Sequence, residues 1–202
     1  PYVLPAAIGE VLRQHPHLQV RTLEAPMEVM ITGLRLGDVD FLTGALPLDP
    51  VENGLVVEEL VSEPMAVIAR SDHPLAAAPS LDLSDLLDTP WILSRPGTPS
   101  REALNSCLAQ QGVAEPRVAV ESSDISVIRG LLLETDMITA ASRQLFSYEL
   151  KAGSLITLPV SLPGTERPIG ILRRSPEHSS PGAKLLMDAV RRICQNEALA
   201  DA

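Results

Sequence analysis

Between Ile92 and Leu108 the chain reads ILSRPGTPSREALNSCL, a short apolar run, a loop, and the start of a helix. The loop gathers Ser94, Arg95, Gly97 and Thr98, with Arg101 one turn further on. Hydroxyls and guanidinium forks of this kind bind carboxylates, phosphates or sugar hydroxyls. Thr98 stands as the N-cap and Pro99 as the first helical residue, which turns the N–H groups of Ser100 and Arg101 toward the loop. A helix N-terminus stabilises an exposed anion by roughly 0.3–1 kcal/mol, and more when partly buried. Thr-Pro ahead of a helix is also ordinary capping chemistry, and on this segment alone the cap is favoured over a cradle.

Three other junctions have the same small, hydroxyl-bearing character: Glu24-Ala25-Pro26-Met27, Thr43-Gly44-Ala45 and Thr139-Ala140-Ala141-Ser142. In open parallel sheets, ligands settle at such strand ends, where helices begin. Signatures of catalysis are missing from the sequence: no GxSxG, GxxxxGK[ST], HExxH or GxGxxG occurs. His15, His17, His73 and His178 stand in Pro- or Ser-rich turns without metal-ligand spacing. Glu58-Glu59 and the pair Asp85 and Asp88 read as solvated carboxylates, and Met27 and Met30 as a packed helix face. The expectation is therefore a binding module that is not an enzyme, with no catalytic residues, no metal and no cofactor.

The elements that must position these junctions alternate between helix and strand. Helical periodicity marks 5–13, stopped by His15-Pro16, and 27–34, ended at Gly37. LQVRTL (18–23) alternates like a strand, and VDFLTGA (39–45) is a short apolar one. Strands follow near 55–60 and 64–70, then a helical turn at 83–87. The rhythm restarts with strand 91–93, helix 99–111, strand 117–120, helix 124–134, strand 137–140 and helix 143–150, closed by Gly153. Strands at 154–160 and 169–173 precede a final helix that Ser180-Pro181 opens and that runs to about 195. This β-after-α order without hairpin turns predicts a parallel sheet in an α/β fold.

With 202 residues the chain can bury a real core. Hydrophobic residues make up 45%, which excludes a disordered chain. The 26 acidic against 16 basic residues give a net charge of −10, which repels a phosphate backbone and argues against direct nucleic-acid contact. One Trp, two Tyr and two Phe leave little for an aromatic cage. Cys107 and Cys194 lack CxxC spacing and suit a reducing compartment. The opening PYVLPAAIGE lacks a signal peptide's basic start and apolar run, and no apolar run reaches the length of a membrane span. The expected location is the cytoplasm.

Taken in order, the motifs carry more than any one of them. Leu4-Pro5 leads to His15-Pro16 and LQVRTLEA, then to ITGLRLGDVDFLTGAL. EPMAVIARSDHPLA, LDLSDLLDTPWIL and RVAVESSDISVIRGLLLETDMITAAS follow. This succession resembles the effector-binding domain of LysR-type transcriptional regulators. DFLTGALP, LSRPGTPSR and ERPIGILRRSPEHSSPGAKLLMDAV resemble the subgroup that holds regulators of galactose-binding proteins and of protocatechuate breakdown.

The resemblance implies two Rossmann-like lobes joined by two crossing strands, the type 2 periplasmic-binding-protein-like fold. Lobe I would take 1–68 and 174–202, lobe II 69–173. A small effector, an organic acid or sugar-like molecule, would sit in the interlobe cleft. Its contacts would come from Pro26, Met27, Thr43, Gly44, Ala45, Ser94, Arg95, Gly97, Thr98 and Thr139, with Arg101 added from its place in the loop. Ala25 stands where members often carry Gly, and Thr135-Asp136-Met137 where many have Gly-x-Gly. The implied partners are further copies of the chain, as homodimer or tetramer, with dimers formed through helices 5–13 and 124–134. DNA would be reached only through an N-terminal helix-turn-helix domain absent from this chain. The alternatives are an extracytoplasmic solute-binding protein or an enzyme on the same scaffold.

Overall fold

The α/β expectation is met in the computed structural model, which describes residues 3–47, 54–175 and 179–200. The chain divides into two compact units, one of residues 63–166 and one formed by the segments on either side of it.

In the first unit β3 (Ala66–Arg70) lies between β6 (Thr139–Ala141) and β7 (Leu155–Thr157), antiparallel to both. β4 (Trp91–Leu93) pairs in parallel with β5 (Val118–Glu121), and a parallel bridge joins Trp91 to Ile138 just ahead of β6. Successive residues of β3 and β4 face opposite sides, as a strand requires. Val67, Ala69, Trp91 and Leu93 share one core with Leu104, Cys107 and Leu108 of α3 (Pro99–Gln110). Ile68 and Ile92 share the other with Ile128 and Leu132 of α4 (Ile125–Glu134) and with Phe146. A near-continuous apolar run suits a strand covered on both faces. Trp91 is buried, and its indole N–H donates to the Leu86 carbonyl at 3.1 Å, so no donor is orphaned. α5 (Ser147–Ala152) ends at Gly153 in the left-handed conformation.

The second unit holds α1 (Val3–Gln14), α2 (Met27–Leu36), β1 (Phe41–Ala45), β2 (Leu55–Glu63), β8 (Arg167–Arg174) and α6 (Pro181–Ala200). Its sheet runs β1-β8-β2, with β1 antiparallel to β8. Ile171 of β8 packs with Ala7 and Val11 of α1 and with Met187 and Val190 of α6. Its neighbour Leu172 packs the other way, with Leu34 of α2 and Leu46. Ser180 caps α6: its Oγ accepts from the Ala183 N–H at 3.2 Å. Among the described residues no helix is long and apolar enough to cross a membrane.

Several expectations are corrected. In place of one parallel sheet there are three small ones, β1-β8-β2, β6-β3-β7 and β4-β5; only β4-β5 is a parallel pair among the registers described, and β3 follows β2 without the helical crossover that parallel neighbours require. LQVRTL is not a strand: Leu18 and Val20 pack on the α1–α6 core and Leu23 is exposed, but no ladder forms along it. Residues 143–150 begin as a 3-10 turn, Arg143–Phe146, before α5. The two compact units change over at 62/63 and 166/167, with all of β3 pairing in one and all of β8 in the other.

Two supposedly solvated carboxylates have partners. Asp85 accepts from the Asp82 N–H at 2.8 Å and closes a capping box. Glu58 takes a two-pronged contact from Arg191, at 2.6 and 2.7 Å. His73 is buried, with Nδ1 accepting from the Leu75 N–H and Nε2 donating to the Asp136 carbonyl, both at 3.1 Å. His178 lies outside the described residues.

Gly170 of β8 sits where β2 comes closest. A Cβ there would lie 2.0 Å from the Glu58 carbonyl oxygen, a backbone atom that cannot step aside. Gly170→Ala is expected to destabilise the protein by about 3 kcal/mol or more, read from urea denaturation.

The Arg191 hydrogen bonds hold the Glu58 carboxyl below its ordinary value; burial opposes them, and the Arg191 and Arg173 charges reinforce them. A carboxyl depressed in the folded state contributes stability above its unfolded value and loses it as pH falls through the folded one. Glu58→Gln is therefore expected to cost about 1 kcal/mol near pH 7 and to converge on the parent as pH falls below the ordinary carboxylate range in denaturation curves.

Candidate functional site

The loop after β4 is a closed chain of hydroxyls. Thr98 Oγ1 donates to the Arg95 carbonyl at 2.9 Å, so its proton is committed. Ser94 Oγ lies 2.7 Å from Thr98 Oγ1 and must be the donor of that pair. Ser100 Oγ lies 3.3 Å from Ser94 Oγ and donates into it in turn. The expected cap does not form: Thr98 occupies the N-cap position, but its hydroxyl makes no bond to the helix. The Ser100 and Arg101 N–H groups thus receive no side-chain cap.

Gly97 adopts φ +81°, a left-handed turn that costs glycine little, and its N–H donates to Glu102 Oε1 at 2.9 Å. Arg101 is only 7% exposed. Its Nε donates to Asn105 Oδ1 at 3.1 Å and its Nη1 to the Ser94 carbonyl at 3.2 Å. Arg95, by contrast, is exposed on the outer rim. Thr139 is buried, and its hydroxyl donates to the Ile92 carbonyl at 2.7 Å, a clasp between β6 and β4.

In the second unit Met27, Thr43, Gly44 and Ala45 line one concavity with Gly170 and Leu172. Gly44 and Gly170 are cross-strand partners, so neither strand puts a side chain over the gap. A Cβ at Gly44 would meet nothing within 4 Å. The cavity volume is about 30 Å³, room for about one water, which makes it part of a wall and not a whole ligand chamber. Pro26 holds the N-cap position of α2 and offers no side-chain cap to its first N–H groups.

The sequence-selected residues thus fall into two groups, one in each compact unit. Ser94, Gly97, Thr98 and Arg101 are tied into a single loop–helix junction, with Arg95 at its edge. Met27, Thr43, Gly44 and Ala45 share the concavity beside Pro26. Thr139 stands apart, under the sheet surface with Ile92. Sequence reading used the Ser100 N–H but missed its hydroxyl, and missed Glu102 and Asn105, although Asn105 is four residues from Arg101, the spacing of helical neighbours. It also missed Gly170, whose meeting with Gly44 across 126 residues of chain leaves no local signal. No cluster of three metal-ligating side chains exists among the described residues.

Residues 1–195 match the family model described as LysR substrate binding domain. Among proteins of known role, the HTH-type transcriptional regulator GalR of Pseudomonas putida is 42% identical over 196 residues. That similarity covers 97% of this chain and 49% of GalR, so the chain spans about half the length of that relative. The solved regulatory domain of Synechocystis CcmR, in complex with 2-PG, superposes with a TM-score of 0.76 at 22% identity. It covers 96% of this chain and 92% of that one. The effector binding domain of QuiR, in complex with shikimate, gives 0.70 at 18% identity, with 96% and 90% coverage. These neighbours share the type 2 periplasmic-binding-protein-like fold with the present protein. On the family match and the GalR similarity together, the chain belongs to the LysR substrate-binding-domain family.

Proposed function

We propose that this chain is the sensing part of a LysR-type transcriptional regulator, holding a small organic acid or sugar-like effector and acting on DNA through a separate N-terminal domain. The observation that carries the reading is the junction at α3, where uncapped N–H groups, a buried guanidinium and three hydroxyls meet in a family of ligand-sensing domains. The small acids in the QuiR and CcmR complexes support a ligand of that size. The net charge of −10 supports leaving DNA contact to another domain. The effector contacts are those of the junctions described: Pro26, Met27, Thr43, Gly44, Ala45, Ser94, Arg95, Gly97, Thr98 and Arg101. Thr139 completes the set, its hydroxyl donating to the Ile92 carbonyl of β4. The protein binds and does not turn its ligand over, and it works in the cytoplasm, where its DNA lies.

Binding can shift a regulator only by the difference in affinity between its two arrangements, typically 1–3 kcal/mol of coupling. A homodimer or tetramer provides such arrangements. Val127 and Leu133 of α4 are 46% and 41% exposed, apolar surface that a second copy would cover through α1 and α4.

A thermal-shift panel of small organic acids and sugar acids tests the reading, and at least one compound is expected to raise the melting midpoint in a saturable way. Arg95→Ala with Thr98→Ala should weaken that compound by roughly tenfold in calorimetric titration, as expected for lost polar contacts. Unchanged affinity would make the loop a structural turn only. In light scattering the chain is expected as a dimer, and Val127→Asp with Leu133→Asp should return it to monomer; a monomeric parent at high concentration would remove the dimer from the proposal.

A further inference from the structure

Resting on the oligomer reading above, we infer that the outer face of α2 docks a second copy of this chain, antiparallel across a two-fold axis near Thr32. A closed tetramer of dimers needs a second self-complementary contact besides the one given to α1 and α4. Among the described residues the most exposed large apolar side chains are Leu36, Leu23 and Val29, at 74%, 63% and 56%. All three lie on α2 or just ahead of it. Scattered apolar residues on a surface are ordinary, but a group of them marks a contact face. Val29 and Leu36 are about two helical turns apart and so point the same way. Ile31 and Leu34 point the opposite way, into the core with Leu46 and Leu172. Thr32 lies between Val29 and Leu36. Its hydroxyl donates back to the Glu28 carbonyl at 2.9 Å, which leaves its methyl group to the stripe.

Charge selects the occupant and its direction. Glu28 stands in the first turn of α2 and Arg35 in the last, and helical spacing puts both along one border of the stripe. A two-fold axis lying across the helix at Thr32 reverses the second copy and brings that border against itself. Glu28 of each copy then meets Arg35 of the other, Val29 meets Leu36, and Thr32 meets its own counterpart. A parallel copy would set Glu28 against Glu28 and Arg35 against Arg35. Antiparallel packing also brings each helix N-terminus beside the other's C-terminus, where the dipoles attract. A wholly acidic or wholly basic partner would suit one end of the border and be repelled by the other. The same helix, reversed, suits both. Arg35 also interacts within its own chain, and the pairing uses its position at the far end of the border. With only 10 residues in α2, the contact is smaller than a standard interface and forms at high concentration.

Sedimentation equilibrium of the chain over a wide concentration range tests this. The parent is expected to pass beyond the α4-dependent dimer as concentration rises. Leu36→Asp should remove that second step with dichroism unchanged, because the side chain is exposed. Glu28→Arg and Arg35→Glu should each weaken the step by roughly tenfold, and the two together should restore it. Damage to the helix alone would not be repaired in the double variant. Val127→Asp with Leu133→Asp should leave a monomer that still pairs at high concentration, until Leu36→Asp is added. A parent without the second step overturns the inference and leaves the effector reading and the α4 dimer standing. So does a step that survives Leu36→Asp, or a double swap that fails to restore it. A dimer split by Leu36→Asp and not by the α4 variant supports the α2 contact and removes the α4 one.

Discussion

Two strands covered on both faces govern how everything else is placed. β3 sends Val67 and Ala69 to one core and Ile68 to the other, and β8 divides Ile171 from Leu172 in the same way. A strand so enclosed has no solvent side on which polar side chains can be tolerated, so polarity is driven to the strand ends and to the loops that follow. That is where Ser94 and Thr98 stand after β4, and where Gly44 and Ala45 stand at the end of β1. The candidate ligand contacts are thus a by-product of layering: the same rule that fills the cores with Val, Ile and Leu collects the donors at the rim.

Buried polar groups inside the layers follow a second rule, that each must be answered locally. Thr165 is fully buried, accepts from the Met65 N–H at 3.0 Å and donates to the Leu162 carbonyl at 2.5 Å, which pins the start of β3's approach to the turn ahead of β8. His73 uses both ring nitrogens, and the two bonds settle its neutral tautomer as protonated at Nε2. Thr139 answers Ile92. These groups are complete in themselves. Arg101 is answered locally as well, by Asn105 Oδ1 and the Ser94 carbonyl.

Most elements could be read from periodicity because they obey local rules. α3 runs from Pro99 as its Pro-first start implies, α6 opens at Ser180-Pro181, and Gly37 and Gly153 end α2 and α5 in the left-handed conformation that glycine favours. What failed was pairing. LQVRTL has the alternation of a strand and does bury Leu18 and Val20, but alternation reports which face is covered, not whether a neighbour supplies hydrogen bonds. The antiparallel set of β3 and β8 was hidden for the same reason, since direction depends on partners distant in sequence. In the candidate site, residue types were readable and commitments were not. The sequence shows that Thr98 is a capping residue type, but only coordinates show its hydroxyl turned to Arg95 and away from the helix. Glu58 looked solvated because Arg191 is 133 residues away.

The placement of Trp91 has an optical consequence. It is the single tryptophan of the chain, it is 1% exposed, and it lies three residues ahead of Ser94 in the unit of residues 63–166. Indole emission therefore reports the dryness of that unit alone and is blind to the other, whose helices α1, α2 and α6 contribute instead to far-ultraviolet dichroism. Indole emission in one unlabelled sample thus times the half at 63–166 by itself, while dichroism, to which α3 and α4 of that half also contribute, times both halves together.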